Sequence, residues 1–301
     1  MELRVLRYFL AVAREGNITN AAAGLHITQP TLSRQLHQLE EELGQPLFVR
    51  HSHSITLTPE GMLLRQRAEE ILALVQKTTD DLAPSNEVLT GSVHIGAGET
   101  DAVHLLTQAA HQLQQVHPQV QCHIYSGDSS DVLAQLDHGL IDFGLIFDPI
   151  NHDKYHAIKL AYEDTWGVLM RKDSPLAAKA CIRPEDICHE PLIFSRQSRA
   201  TSVLKDWFGV YADQLHVTGT YSLVFNGSLM VQDGIGYALT LDKIINVSGD
   251  SPLCFRPLDP PLTAGMHIVW KKYQRFSKPA EKYLAILLEH TAQNTDVTAT
   301  H

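Results

Sequence analysis

Gln29, Pro30, Thr31, Ser33 and Arg34 lie within six positions of one another, and each carries a side chain suited to the edge of a base pair. Glutamine pairs bidentately with adenine and arginine with guanine; serine and threonine reach bases or phosphates, and a proline ring packs on a thymine methyl. A second set sits further along the chain, where four apparent strand-to-helix junctions end in small or polar residues: Gly98-Glu99-Thr100, Gly127-Asp128-Ser129, the stretch from Ser195 to Ser202, and Asn226-Gly227-Ser228. Helix starts offer unpaired amide donors at the positive end of the helix dipole, so a cleft built from such junctions suits a carboxylate or another anion. Thr100, Ser195, Ser202 and Asn226 are the leading contact candidates, Arg196 or Arg199 the charge partner, and Gly98, Glu99, Ser129 and Phe147 complete the candidate wall. Glu99 and Asp128 have the wrong sign for an anion; they fit a cationic or zwitterionic ligand, or point away. Every hydroxyl and amide in this set reads equally well as a plain helix cap.

The first set needs a rigid carrier. Leu3, Leu6, Phe9, Leu10 and Ala13 recur at three- and four-residue steps, the pattern of an amphipathic helix that Gly16-Asn17 ends. A second helix is expected from Thr19 as N-cap to Leu25, with a tight turn at His26-Ile27. Thr28 caps the third, Pro30 fits its first turn, Leu32, Leu36 and Leu39 line one face, and Gly44 stops it. Two helices joined by so short a turn form a helix-turn-helix candidate, whose second helix presents its N-terminal side chains to the major groove. Residues 47–49 and 55–57 read as short strands around a polar tip, a wing. Arg50 and His53 on the wing, with Thr19 and Asn20 at the second helix, are placed for phosphate contacts that fix register; any of them also reads as ordinary surface. Thr58-Pro59-Glu60 then opens a long helix to about residue 83, roughly 36 Å at 1.5 Å per residue, more than so small a domain needs internally. Its apolar stripe is expected to meet a second copy.

The second set needs a different carrier. Strands over 93–95, 120–125 and 143–147 alternate with helices over 103–116 and 131–136, which implies a parallel sheet covered by helices. A strand-rich passage over 165–170 opens a similar series: strand 191–194, helix 203–211, strand 216–221, helix 228–232, strand 237–241. The chain then returns through a strand over 266–270 and a helix over 279–289. Two α/β lobes joined by a double crossover leave a cleft between them.

Composition narrows the function classes. The chain has 301 residues, 44% of them hydrophobic and 19% charged, which suits two or three soluble units and no apolar run of membrane-spanning length. The start is amphipathic, without an h-region or cleavage site, so the protein is expected to remain in the cytoplasm. Cys122, Cys181, Cys188 and Cys254 have no C-x-x-C spacing and are read as reduced; His51 and His53 are the one close histidine pair, and no ligand set completes it. No metal and no cofactor are expected. A net charge of −10 has the wrong sign for a nucleic-acid binder, yet residues 1–58 hold five arginines and five glutamates, so the whole acidic excess lies beyond them. A neutral head on an acidic body binds DNA with weak nonspecific affinity and strong salt dependence. Catalysis is disfavoured: no G-x-S-x-G, P-loop or H-E-x-x-H occurs, and neither Gly96-x-Gly98 nor Gly234-x-Gly236 gains the third glycine of a dinucleotide site.

The run FLAVA from Phe9, NITNAAAGLHITQPTLSRQL from Asn17, LEEELG from Leu39, PLFVR from Pro46 and LTPEG from Leu57 resembles the N-terminal signature of LysR-type transcriptional regulators. The remainder is similar, more loosely, to that family's type-2 periplasmic-binding-like effector domain, through DFGLI from Asp142 and VQDGIGYAL from Val231. The second motif more often ends in Leu-Pro, where this chain has Thr240-Leu241. The resemblance implies a bacterial, promoter-binding homodimer or homotetramer that responds to a small-molecule effector, with RNA polymerase as a further partner. It divides the chain into a winged helix-turn-helix over 1–58, a dimerising helix and hinge over 59–90, and an effector domain over 91–301. Within the last, lobe I takes about 91–161 and 266–292, and lobe II about 162–265. The competing readings are a cytoplasmic solute-binding sensor without a transcriptional role, a solute-binding protein that serves a transporter, which needs an export signal not seen here, and a purely architectural DNA-binding protein, which has little use for two lobes.

Overall fold

A computed structural model of the chain describes residues 1–51, 54–82, 88–200 and 202–298. They divide into two compact units, 1–83 and 84–301.

In the first unit, α1 (Leu3–Glu15), α2 (Ile18–Gly24) and α3 (Gln29–Leu43) surround a core of Leu6, Phe9, Val12, Ala21, Ala22, Leu32, Leu36 and Leu39. Gly16 and Gly44 end α1 and α3 in the left-handed conformation that glycine adopts without a Cβ penalty. Thr28 caps α3, accepting the amide of Thr31, and Pro30 sits in the first turn where its missing N–H costs nothing. The cap of α2 is Asn17 rather than Thr19: its side chain accepts the amides of Thr19 at 2.8 Å and Asn20 at 3.1 Å. Thr19 and Asn20 therefore belong to the first turn, with exposed side chains.

Strands β1 (Phe48–Arg50) and β2 (Ile55–Leu57) form the antiparallel wing. Two contacts anchor it: the Gly16 carbonyl accepts the amide of Ile55 at 2.8 Å, and Oε1 of Glu40 accepts those of Leu47 at 2.8 Å and Phe48 at 3.2 Å. Helix α4 (Pro59–Asp81) starts at Thr58, whose hydroxyl accepts the Gly61 amide and donates to the Pro46 carbonyl. Gly61 is fixed by proximity, since a Cβ there would stand 2.1 Å from the Leu47 carbonyl oxygen. Ala68 closes the core from α4, while Met62, Leu63 and Leu74 on the same helix remain exposed.

The second unit is one nine-stranded sheet that alternates with helices: β3 (Gly91–Ala97), α5 (Val103–Val116), β4 (Val120–Ser126), α6 (Ser129–Asp137), β5 (Phe143–Phe147) and the long β6 (Tyr155–Arg171). After a 3₁₀ turn, α7 (Pro184–Ile187), β7 (Pro191–Ser195), α8 (Arg196–Ala200), α9 (Val203–Phe208), β8 (His216–Tyr221), α10 (Val224–Gln232), β9 (Tyr237–Leu241), β10 (Leu253–Pro257), β11 (Thr263–Lys271) and α11 (Lys278–Thr298) follow. The strand order is β4-β3-β5-β11-β6-β9-β7-β8, with β10 also paired to β6. Two parallel trios, β4-β3-β5 and β9-β7-β8, are thus joined by antiparallel strands that cross from one half to the other. The switch falls at Thr165 and Trp166 of β6: the former faces Thr263 of β11, the latter Leu241 of β9.

Parallel strands need cover on both faces, and each half has two apolar clusters. Leu106, Leu113, Phe143, Ile268 and Tyr283 fill one side of the first half, and Val132, Leu136, Ile146 and Val269 the other. In the second half Leu192, Phe194, Phe208 and Leu239 oppose Leu169, Ile193, Val224 and Val231.

Candidate functional site

Gln29, Pro30, Thr31 and Arg34 are exposed at the start of α3 and Ser33 is half-buried beside them. Gln29 and Ser33, like Pro30 and Arg34, are four residues apart and share a face, while Leu32, Leu36 and Leu39 hold the opposite face in the core. Thr31 is tied to the cap, its amide donating to the Thr28 hydroxyl and the two hydroxyls 2.8 Å apart. Arg34 and Arg50 make no ion pair among the described residues, whereas Arg4 and Arg14 lie beside Glu2 and Glu15. Arg50 ends β1 with an exposed side chain; His53 lies outside the described residues. The arrangement is a polar helix start, beside an arginine-bearing wing, held by a closed apolar core.

The second unit holds a cavity of about 410 Å³ between its two half-sheets. Of the residues singled out from sequence, Gly98, Glu99, Phe147, Ser195 and Arg196 line it; Thr100, Ser129, Ser202 and Asn226 do not. Thr100 is buried, its hydroxyl accepting the Ala102 amide and donating to Oδ2 of Asp164, so it ties the turn before α5 to the crossover strand. Asn226 is displaced because α10 begins at Val224, four residues before the expected start; the asparagine is then an exposed helical residue. Gly227 looks like a helix breaker but packs on a ring, since a Cβ there would meet Tyr221 at 2.7 Å. Ser202 is exposed ahead of α9, and the side chain of Arg199 lies outside the described residues. Ser129 stands just outside the lining, where its hydroxyl accepts Nε2 of Gln197 at 2.8 Å.

Sequence reasoning also missed part of the wall: Trp166, Tyr221, Thr240, Leu241 and Ile244 on one side, Asp148 and Thr263 to Gly265 on the other. The motif departure at Thr240-Leu241 was the available signal, because those two residues face the cavity.

Bonds bridge the cavity from one half to the other. Nη2 of Arg196 donates to Oδ2 of Asp128 at 2.8 Å and of Asp131 at 2.9 Å. Gln197 reaches Ser129, and the Val224 amide at the start of α10 donates to Oε2 of Glu99. Burial pushes the Glu99 carboxyl above its ordinary range, against the opposing pull of that amide. For Asp128 burial works the same way, but hydrogen bonds from Ser130, the Asp131 amide and Arg196, with the arginine's charge, outweigh it and hold the carboxyl below the usual range. Tyr221 is buried, which pushes its phenol up to about 12; it donates to the Leu239 carbonyl at 2.9 Å. None of the four cysteines lines the cavity, and among the described residues no group of His, Cys, Asp or Glu is arranged to hold a metal ion.

A family model of bacterial regulatory helix-turn-helix proteins of the lysR family matches residues 3–62, and one of the LysR substrate binding domain matches residues 86–292. The chain belongs to the LysR family. Among relatives of this LysR chain, the uncharacterized HTH-type transcriptional regulator YvbU of Bacillus subtilis is 24% identical over 96% of it and 98% of that protein. The DNA-binding transcriptional dual regulator OxyR of Escherichia coli K12 is 30% identical over 64% of this chain and 63% of its own length. The structure of full-length CbnR complexed with target DNA covers 98% of this chain and 100% of its own, with a TM-score of 0.73 at 19% identity, a likeness of fold. The two family matches fall on the two compact units, and the chain is a DNA-binding regulator of transcription.

Proposed function

We propose that this LysR-family regulator reads a promoter through Gln29, Pro30, Thr31, Ser33 and Arg34, and that a small molecule in the cavity of the second unit changes how tightly it does so. One observation carries the reading: a capped, core-anchored helix presents five base-competent side chains, four exposed and Ser33 half-buried, with Arg34 in no ion pair among the described residues. Thr19, Asn20 and Arg50 supply phosphate contacts around it. Exposed Met62, Leu63 and Leu74 on α4 favour a second copy of the chain as partner there, which would present two heads to a dyad-related site. A DNA-reading role sets the place of action in the cytoplasm; among the described residues no helix is long and apolar enough to cross a membrane. No cofactor is assigned.

The test is selection of duplexes from a random pool by the full chain, followed by anisotropy titration of the enriched sequence at two salt concentrations. A dyad-symmetric consensus is expected, with affinity that falls steeply as salt rises. Failure to retain any duplex at about 50 mM salt, where phosphate contacts are strongest, overturns the reading. Effector and DNA are coupled reciprocally, so a compound that changes operator affinity by some factor must bind the operator complex with affinity changed by the same factor.

A further inference from the structure

Resting on the reading of the cavity as an effector site, we propose that it takes an organic cation, an amine or quaternary ammonium with an apolar body, and not the carboxylate that its helix starts suggest.

The sequence points the other way because a helix N-terminus attracts anions. In the structure that place is taken. The first amide of α10 donates to Glu99, a carboxylate supplied by the opposite half, so an incoming anion would have to evict it and leave a half-buried charge without its donor. The other anion receptor is equally committed: Arg196, the one cationic side chain on the wall among the described residues, is held by two carboxylates at once.

What remains open is acidic and aromatic. Glu99, Asp128, Asp131 and Asp148 line the cavity against that single arginine. Glu99 bonds through Oε2, and its Oε1 has no hydrogen-bond partner among the described residues. Asp148 stands on the wall with His267 3.4 Å behind it and half its side chain open. Phe147, Trp166 and Tyr221 add aromatic rings to the lining, a residue type that attracts ammonium groups, and Leu223, Val224, Leu241 and Ile244 supply apolar surface. A cation meets Glu99 and Asp148 without breaking any bond that closes the cleft, whereas an anion meets repulsion from these two carboxylates, Asp128 and Asp131 being already paired with Arg196. The cost of burial that raises the Glu99 carboxyl is relieved by the first ligand and worsened by the second.

The experiment is calorimetry and thermal shift of the full chain against matched pairs of opposite charge: tryptamine with indole-3-acetate, 2-phenylethylamine with phenylacetate, and choline. The cations are expected to bind and raise the melting temperature, their acidic counterparts not. Glu99→Gln, which keeps the shape and still accepts the Val224 amide, is expected to weaken the best cation by about tenfold or more; Asp148→Asn is the second variant, smaller in effect. Circular dichroism and melting of the unliganded variants confirm that they fold. Binding of the acids in place of the amines, or amine affinity unmoved by both variants, overturns the cation assignment and leaves the cleft as the effector site. Amine binding that survives Leu241→Trp, which fills the cavity, or no binding by any probe of either charge, overturns the cleft reading itself.

Discussion

The two units treat their polar side chains in opposite ways. At the start of α3, Gln29 and Arg34 project into solvent with no ion pair among the described residues, on a helix whose other face is locked in the core. On the cavity wall, Arg196, Gln197, Glu99 and Asp128 are all bonded from one half to the other, Gln197 through Ser129 just outside the lining. A rigid partner as large as a duplex is met by a surface held ready. A small partner is met by groups that already satisfy one another, so what they leave unsatisfied decides the chemistry of the ligand.

The contrast breaks first at the paired heads. Leu63→Glu combined with Leu74→Glu puts two charges on the exposed face of α4 without touching its core contact through Ala68. We expect sedimentation to show a monomer and anisotropy to show operator affinity lower by on the order of 100-fold or more, because linked heads bind with an avidity that single heads lack. A variant that remains dimeric would remove α4 as the contact. Arg34→Ala comes next. It should cost about 1–3 kcal/mol at the selected site, roughly 5- to 150-fold, with the melting temperature unchanged. An equal loss on every duplex would mean that Arg34 holds phosphate and reads no base.

These two predictions rest on features that were plain in the sequence, and the cavity predictions do not. The head folds by local rules: Thr28 caps, Pro30 starts, Gly44 stops, and leucines at three- and four-residue steps mark the buried face. Its slips are small: Thr19 for Asn17 as the cap of α2, a first wing strand expected one residue early at 47–49, and an end of α4 expected near 83 where the helix runs to Asp81. The alternation of strands and helices in the second unit was also legible, down to the limits of α5, β5, β8 and β9. Beyond that, periodicity failed where partners are distant. The first ten residues of β6 carry Lys159, Glu163 and Asp164 and are strand because β11, about a hundred residues later, pairs with them. Gly227 resembled a junction, and only the ring of Tyr221 against it shows why it belongs inside a helix. That Glu99 fills the start of α10 depends on two residues 125 positions apart, and no local pattern carries such a pairing.

The bonds across the cleft differ in strength, which sharpens the comparison. Arg196 is more than half exposed, so its ion pairs are screened by solvent and Arg196→Ala should leave the urea-unfolding midpoint of the unliganded chain almost unchanged. The same change frees Asp128 and Asp131, and the amine that binds best should then bind tighter. A large stability loss would make the pair a structural clamp and take it out of the effector site.

The smallest effect separates the two ends of the cleft by proton binding. Glu99, raised by burial, takes up a proton in the folded chain at a pH where the unfolded chain has already lost it; its contribution favours the folded state as pH falls through that raised value and opposes it above. Asp128, where the bonds to Ser130, Asp131 and Arg196 overcome burial, behaves in reverse: it stabilises above the ordinary aspartate value and is lost only as pH falls through the lowered one. Each carboxylate is bonded to a backbone amide, Val224 for Glu99 and both Ser130 and Asp131 for Asp128, so the amide chemical shifts report the two protonations separately. In a titration from neutral pH downward, the Val224 amide should move above pH 4.5, the ordinary value for a glutamate, while those of Ser130 and Asp131 should hold until below pH 3.8, the ordinary value for an aspartate. The reverse order, or a single shared midpoint, would mean that Glu99 is not confined against α10 in solution, and the start of that helix would then be open to an anion after all.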